Sequence, residues 1–155
     1  MAALIAIVDK SWGVAKKNAI PWSFPEDRAF FHQKTYHAAV IMGRKTFLTL
    51  PRHAFLKKTL VVLSRSCSYL PGANVFSTLE EALVRYPDAW IIGGAMVYNE
   101  ALSQRYVDRL YLTRMHLSYD ADCFLKTALL EAFSLYVLRS TPQADFLLGL
   151  GNNAP

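Results

Sequence analysis

The segment Ile91-Ile92-Gly93-Gly94-Ala95-Met96-Val97-Tyr98 indicates the class of fold, because it joins an apolar run to two glycines and a helix-forming stretch. The run, which begins at Trp90, is typical of a strand covered on both faces of a sheet. A helix is predicted at Ala95–Leu102. Because glycine has no Cβ atom, the two glycines let a ligand approach the main chain closely. The segment therefore predicts a buried strand followed by a helix, joined by either a binding junction or a plain glycine turn.

The same near-continuous apolar pattern recurs in three earlier segments, which are Leu4–Val8, Ala39–Met42 and Leu60–Leu63. Runs of this kind predict a buried parallel sheet. Three later segments also predict strands, namely Arg109–Met115, Phe133–Ser140 and Phe146–Leu150. The last two are close enough in sequence to pair as an antiparallel hairpin.

Helix-start signals lie between the predicted strands. Ser23 offers a cap, Pro25 suits the first helical position and Glu26 lies three residues after the cap, which predicts a helix from about Pro25 to Thr35. The segment Ser77-Thr78-Leu79-Glu80 repeats the capping pattern. This alternation predicts an α/β fold with a central, mainly parallel mixed β-sheet flanked by helices. In such sheets, ligands bind at the carboxyl ends of the strands.

Charge is unevenly distributed along the chain of 155 residues, whose net charge is +5. The stretch from Arg28 to Leu79 contains eight basic residues and no acidic one, so it carries +8 and the remainder carries −3. A third of the chain without a carboxylate predicts an anionic partner. Nucleic acid, a phosphorylated cofactor and a polycarboxylate all fit this pattern.

Several classes of protein are excluded by the same composition. No apolar run reaches the roughly 18 residues of a membrane helix, and the first residues lack the basic region of a signal peptide. Cys67 and Cys123 are not in a metal-ligand spacing. The two cysteines could form a single disulfide, but free thiols are expected in a cytoplasmic protein. No metal site is predicted from the four histidines. Residues 1–155 are expected to form one domain.

Two places could carry chemistry on residue type alone. Val40-Ile41-Met42-Gly43-Arg44-Lys45-Thr46 puts a glycine, two cations and a hydroxyl where a helix begins after a buried strand, which suits an anion. Asp27, in the first turn of an apolar helix, could face a pocket and bind a flat amidine-like group through two hydrogen bonds. The alternatives are a solvated basic helix end at the first place, and a carboxylate that only favours the helix dipole at the second.

The segment Ile20-Pro21-Trp22-Ser23-Phe24-Pro25-Glu26-Asp27 resembles the dihydrofolate reductase family, whose substrate loop has the pattern apolar-Pro-Trp-x-x-Pro-x-Asp/Glu. The resemblance covers about residues 4–124. It continues in order through Val40–Phe47, Val61–Arg65, the segment Ile91–Tyr98 and Leu110–Thr113. Five short blocks in one order are far more specific than any single block.

This resemblance implies NADPH-dependent reduction of 7,8-dihydrofolate to tetrahydrofolate, a reaction of one-carbon metabolism, in a sheet that ends in an antiparallel C-terminal hairpin. Asp27 would bind the pterin 2-amino and N3 groups and promote protonation at N5. Trp22 would order a water molecule, and Thr113 would hydrogen-bond behind the carboxylate. Other substrate-binding residues implied by the family are Ile5, Ala6, Phe31, Leu50 and Ile92.

For the cofactor, the resemblance implies that Gly43, Arg44, Lys45 and Thr46 hold phosphates and that Ser64 and Arg65 lie near the adenosine 2′-phosphate. The segment Gly93–Tyr98 would cover the pyrophosphate and nicotinamide, with a cis peptide between Gly93 and Gly94. A mobile loop at residues 9–22 would lie over the nicotinamide. The complete cofactor set also includes Ile7, Val14, Ala15, Asn18, Ala19, Leu63, Ile92, Ala95, Met96, Val97 and Tyr98.

Two departures from the family pattern affect these expectations. Ala15 stands where the loop usually has glycine, and a positive φ there would strain alanine. Lys58 aligns with the family arginine that clamps the glutamate tail, so the charge is kept but the planar two-donor fork is lost. Arg28 replaces a residue that is usually apolar. These changes predict a tail site built from Arg28, Arg52 and Lys58.

Three other functions remain open. The lost arginine allows a reductase of a dihydropterin without a glutamate tail. A ribosylated pyrimidine is a possible substrate by fold, although the Pro-Trp-x-x-Pro-x-Asp block argues against it. A nucleic-acid-binding module would need exposed aromatic side chains among the cations. We expect dihydrofolate and antifolate-type inhibitors as ligands, a monomer, and neither nucleic acid nor membrane as a partner.

Overall fold

A computed structural model of the chain describes residues 1–17, 19–21 and 23–152. Eight strands form its main sheet. In chain order they are β1 (Ala2–Val8), β3 (Ala39–Gly43), β4 (Thr59–Leu63), β5 (Asn74–Phe76), β6 (Trp90–Gly93), β7 (Val107–Met115), β9 (Phe133–Ser140) and β10 (Ala144–Gly151). A separate two-stranded sheet is formed by β2 (Gly13–Ala15) and β8 (Cys123–Phe124).

The main sheet has the strand order β5-β4-β3-β6-β1-β7-β10-β9. Neighbouring strands from β5 to β7 are parallel, while β10 is antiparallel to both β7 and β9. The predicted mixed α/β sheet with a final antiparallel hairpin is therefore confirmed. The short strands β2, β5 and β8 were not predicted, because two or three residues are too few to show a period.

The helices are α1 (Pro25–Thr35), α2 (Arg44–Thr49), α3 (Leu79–Arg85), α4 (Ala95–Ser103) and α5 (Thr127–Leu130), with a 3₁₀ turn at Arg52–Phe55. The bounds predicted for α1 are confirmed, but the predicted cap is wrong. Phe24 is the N-cap residue and its side chain makes no capping hydrogen bond. At α3 the cap is Thr78, whose hydroxyl accepts a hydrogen bond from the amide of Glu81 at 3.1 Å.

Both faces of the central parallel strands are covered, which explains their near-continuous apolar runs. Consecutive residues of β6 illustrate this, since Ile91 packs in a cluster with Leu4 and Ile41 whereas Ile92 packs in another with Ile5 and Met42. The second cluster is covered by Phe30 and Phe31 of α1, among other side chains. Helix α1 is thereby held over the carboxyl ends of β1 and β6. No helix in the described ranges is long and apolar enough to cross a membrane.

Candidate active site

A cleft of about 360 Å³ opens at the carboxyl ends of the central parallel strands. Its floor is formed by β1 and β6, one wall by α1 and the opposite wall by α2 and the 3₁₀ turn. Most of its lining is apolar. The lining residues are Ile5, Ala6, Ile7, Val14, Ala15, Ala19, Ile20, Ser23, Phe24, Asp27, Arg28, Phe31, His32, Thr46, Thr49, Leu50, Pro51, His53, Ala54, Ile92, Gly93, Gly94 and Tyr98.

Asp27 is the only carboxylate among these lining residues. It lies in the first turn of α1 with its side chain half-buried in the cleft wall. Burial raises the pKa of Asp27 to about 6, and a hydrogen bond with the Thr113 hydroxyl offsets part of this rise. Thr113 itself is buried in β7. The Asp27 carboxyl group can therefore both take up and release a proton near neutral pH, as a proton-transferring group requires.

Tyr98 ties helix α4 to the floor of the cleft. Its buried hydroxyl donates a hydrogen bond to the carbonyl oxygen of Ile5 at 2.8 Å, which ties α4 to β1. Burial, assisted by the negative charge of Asp27, raises the pKa of Tyr98 above its usual range. The phenol therefore stays protonated at neutral pH and acts as a fixed donor.

The two strand-to-helix junctions noted in the sequence lie side by side. Strands β3 and β6 are neighbours, and Met42 is in register with Gly93. The peptide bond between Gly93 and Gly94 is cis. A Cβ atom on Gly94 would lie 3.4 Å from the Thr46 hydroxyl oxygen, and one on Gly93 would lie 3.6 Å from it. The glycines therefore leave open a cradle that side chains would fill, beside the cations that begin α2.

A second pocket, of about 350 Å³, lies beyond the ends of β4 and β5. Ser64 and Arg65 line it, as the resemblance implied for the adenosine 2′-phosphate. The hydroxyls of its four lining serines and the guanidinium of Arg65 suit a phosphate group. The other lining residues are Ser66, Cys67, Ser68, Val75, Phe76 and Ser77, and none of these was predicted.

The remaining sequence-predicted residues lie around the cleft or outside the described ranges. Arg52 is exposed on the 3₁₀ turn. Lys58 and Thr113 do not line the cleft themselves but contact residues that do. Seven other predicted residues lie at strand ends and helix starts next to the two pockets but do not line the main cleft. They are Gly43, Arg44, Lys45, Leu63, Ala95, Met96 and Val97. Trp22 and Asn18 fall outside the described residues.

The loop over the cleft is held by contacts that its sequence alone did not reveal. Ala15 lies in β2, and among the described residues of this loop the positive φ angles fall on Trp12 (68°) and Lys17 (49°) instead, so alanine is not strained there. The amide of Asp122 donates to the carbonyl of Ala15, and the amide of Lys17 donates to the carboxylate of Asp122, each at 2.9 Å.

Comparison with known proteins identifies the family. A family model described as dihydrofolate reductase matches residues 1–145. The chain belongs to the dihydrofolate reductase family. Dihydrofolate reductase of Bacillus subtilis is 34% identical over 125 residues, which cover 79% of this chain and 73% of that protein. The enzyme of Neisseria meningitidis is 37% identical over 125 residues, 78% of this chain and 76% of its own.

A solved structure extends this result to the whole fold. A dihydrofolate reductase from Enterococcus faecalis, complexed with NADP(H) and RAB-propyl, superposes with a TM-score of 0.84 at 26% identity and covers 99% of this chain and 97% of its own. NADPH-dependent reduction of dihydrofolate, the standard reaction of dihydrofolate reductases, is the activity of this chain. The predicted family, enzyme class and cofactor are therefore confirmed.

Proposed function

We propose that Asp27 is the residue that binds the pterin and handles the proton of the reaction. The observation that carries this assignment is the burial of its carboxylate in the cleft wall, with its pKa raised to about 6 and the Thr113 hydroxyl behind it. A flat ring edge with two N–H groups can donate to both carboxylate oxygens. The same carboxyl group can hold the proton destined for N5. Trp22 is assigned the ordering of a water molecule by its motif alone.

The apolar residues around Asp27 orient the rings and exclude water. Ile5, Ala6, Phe31, Leu50 and Ile92 are proposed to contact the pterin and the benzoyl group. When bound, NADPH supplies the hydride that reduces C6. A dry, closely fitted site keeps two flat rings in contact, so the protein needs only one ionisable group at the reacting centre.

The residues proposed for the cofactor surround the glycine cradle. Gly93 and Gly94 leave room for the nicotinamide side of the molecule, and Thr46 lies beside them. Arg44 and Lys45 at the start of α2 supply positive charge for the pyrophosphate. Arg65 and Ser64 are proposed to hold the 2′-phosphate in the second pocket. The other assignments are Ile7, Val14, Ala15, Asn18, Ala19, Gly43, Leu63, Ile92, Ala95, Met96, Val97 and Tyr98.

We propose that the protein binds the glutamate tail of dihydrofolate, which favours this substrate over a tail-less dihydropterin. Arg28 lines the open end of the cleft, and Lys58 lies beside the lining residues Phe31 and His32. With Arg52, these cations would bind the tail carboxylates. All three cations lie in the stretch from Arg28 to Leu79, which contains no acidic residue.

One chain carries all the elements proposed for catalysis, so a single-domain monomer over residues 1–155 is the proposed functional unit. Antifolate-type ligands, which dihydrofolate reductases bind, are proposed to compete for the same cleft. A cytoplasmic location agrees with the free thiols of Cys67 and Cys123. Neither nucleic acid nor a membrane surface is proposed as a partner.

The test is an assay of the purified protein with NADPH and dihydrofolate, followed by the loss of the near-ultraviolet absorbance of NADPH. Asp27→Asn should lower kcat/KM at least a hundredfold at neutral pH, because the general acid is removed. Glu26→Gln, which changes an exposed carboxylate on the same helical turn, is the matched control. Equal activity of Asp27→Asn and wild type would contradict the assignment of Asp27, and silence of the folded wild type would contradict the proposed substrate.

A further inference from the structure

Lys58 is held by two residues of the cleft wall. Its Nζ atom lies 3.0 Å from Nδ1 of His32 and 5.2 Å from the centre of the Phe31 ring. An ammonium group on a flexible stem has no preferred direction, in contrast to the planar fork of a guanidinium. The hydrogen bond and the cation–π contact together supply the direction that the lysine lacks by itself.

The contact with His32 determines the state of that imidazole. A lysine ammonium can only donate, so Nδ1 must be the accepting nitrogen and the imidazole must be neutral. The groups around it favour this state. Burial and the nearby positive charges of Lys58, His53 and Arg28 lower the pKa of His32, and the His53 ring centre is 6.3 Å away.

We propose that His32 is a positioning residue for the glutamate tail, which aims the Lys58 ammonium at the tail carboxylate through its neutral Nδ1 atom. This inference rests on the proposed use of Lys58 in substrate binding. It explains how a lysine can replace an arginine at this corner, since the direction that a guanidinium has by its shape comes here from a second residue. His32 has no role in the reaction at the pterin ring.

The experiment compares dihydrofolate with a dihydropterin that lacks the tail. The ratio of kcat/KM for the two substrates measures the contribution of the tail. His32→Leu should lower this ratio about three- to tenfold, mainly through the KM for dihydrofolate, because one hydrogen bond that orients a charge is lost. Gln33→Leu, at an exposed neighbouring position on the same helix, is the matched control and should leave the ratio unchanged.

Two conservative variants separate a hydrogen bond from a packing role. The Oδ1 atom of asparagine lies the same number of bonds from Cβ as Nδ1 of histidine, so His32→Asn should retain most of the ratio. His32→Gln places its acceptor one bond further out and should behave like His32→Leu. If His32→Asn and His32→Gln lower the ratio to the same extent, the proposed role of Nδ1 is overturned.

A double-mutant cycle tests whether His32 acts through Lys58. In a Lys58→Ala background, His32→Leu should have no further effect on the ratio. In a Lys58→Arg background its effect should shrink, because the guanidinium brings its own fork. Additive effects of His32→Leu and Lys58→Ala would overturn the inference.

The cycle also distinguishes this inference from the proposed function. Should Lys58→Ala lower the ratio while His32→Leu does not, the tail site stands and the role of His32 is refuted. If wild type and Lys58→Ala use the two substrates with the same ratio, the use of Lys58 in the tail site is refuted and the inference falls with it, while Arg28 and Arg52 remain the proposed cations of that site. Thermal melting of each variant establishes that the comparison is made between folded proteins.

Discussion

The raised pKa of Asp27 makes a prediction about stability that is independent of catalysis. The pKa is about 6 in the folded protein against 3.8 for an unperturbed aspartate. Between these two values the folded state binds more protons than the unfolded state, so the free energy of unfolding falls as pH rises through this window. Above pH 6 the folded protein holds an ionised, desolvated carboxylate, which lowers the free energy of unfolding by the full amount. Asp27→Asn removes the titrating group and should therefore stabilise the protein most at high pH.

The size of the effect follows from the shift. Two pKa units correspond to about 3 kcal/mol, counted from well below the unfolded pKa to well above the folded one. About 1 kcal/mol of this destabilisation is already present at pH 4.5, because the carboxyl group of the unfolded chain is mostly ionised at that pH. From about pH 4.5 to about pH 8, the gain in unfolding free energy of Asp27→Asn over wild type should grow by about 2 kcal/mol.

Urea unfolding at both pH values, with the cofactor and substrate left out, measures this difference. Glu26→Gln serves as the control, since its carboxylate is half exposed and pairs with Arg139 only at the surface. If the difference in unfolding free energy between Asp27→Asn and wild type changes by less than about 0.5 kcal/mol between the two pH values, the reasoning is refuted. It would mean that the folded carboxyl is not desolvated, and the assignment of Asp27 as the proton carrier would lose its physical basis.

Three further predictions concern other parts of the molecule. Gly13→Ala should destabilise the protein by about 1–3 kcal/mol in urea unfolding, because the new Cβ would overlap Ala121 and lie 3.0 Å from the Asp9 carboxylate. Gly151→Ala is the control, since the nearest atom to its Cβ would be 3.7 Å away. Equal losses of stability in the two variants would contradict this explanation. Val137→Lys should reduce aggregation on concentration, measured by light scattering, without lowering activity, because Val137 is 61% exposed on the edge strand β9; unchanged scattering would show that this edge does not drive association. Arg65→Ala should lower the preference for NADPH over NADH about tenfold in kcat/KM, since one charge-assisted hydrogen bond is lost, whereas an equal loss with both cofactors would remove Arg65 from the 2′-phosphate site.

Local signals in the sequence were sufficient for the strands and helices that exceed about four residues. The apolar runs of β1, β3, β4 and β6 report burial on both faces, and a residue's neighbours along the chain carry that information. The cap of α1 was predicted at Ser23 but lies at Phe24. A proline at the first helical position already removes one unsatisfied donor, so the helix can begin there without a side-chain cap.

The outcome was different for residues whose role depends on distant partners. His32 and His53 share no spacing that indicates a common site, yet both line the cleft. His32 meets Lys58, which is 26 positions away. The effect of Ala15 on the loop was also open, and its resolution came from the pairing of β2 with β8, more than a hundred residues later.

The sequence by itself determined the alternating strands and helices, the two glycine junctions, the acidic residue of α1 and the basic stretch, because each is a property of residues near one another in the chain. Only the tertiary structure decided which of these features share a site. The burial that raises the pKa of Asp27 and the Thr113 hydroxyl behind it arise where α1 meets β7. The imidazole proposed to orient Lys58 lies where α1 meets the segment before β4. Desolvation and hydrogen bonding depend on distance in space, and the order of residues does not specify that distance.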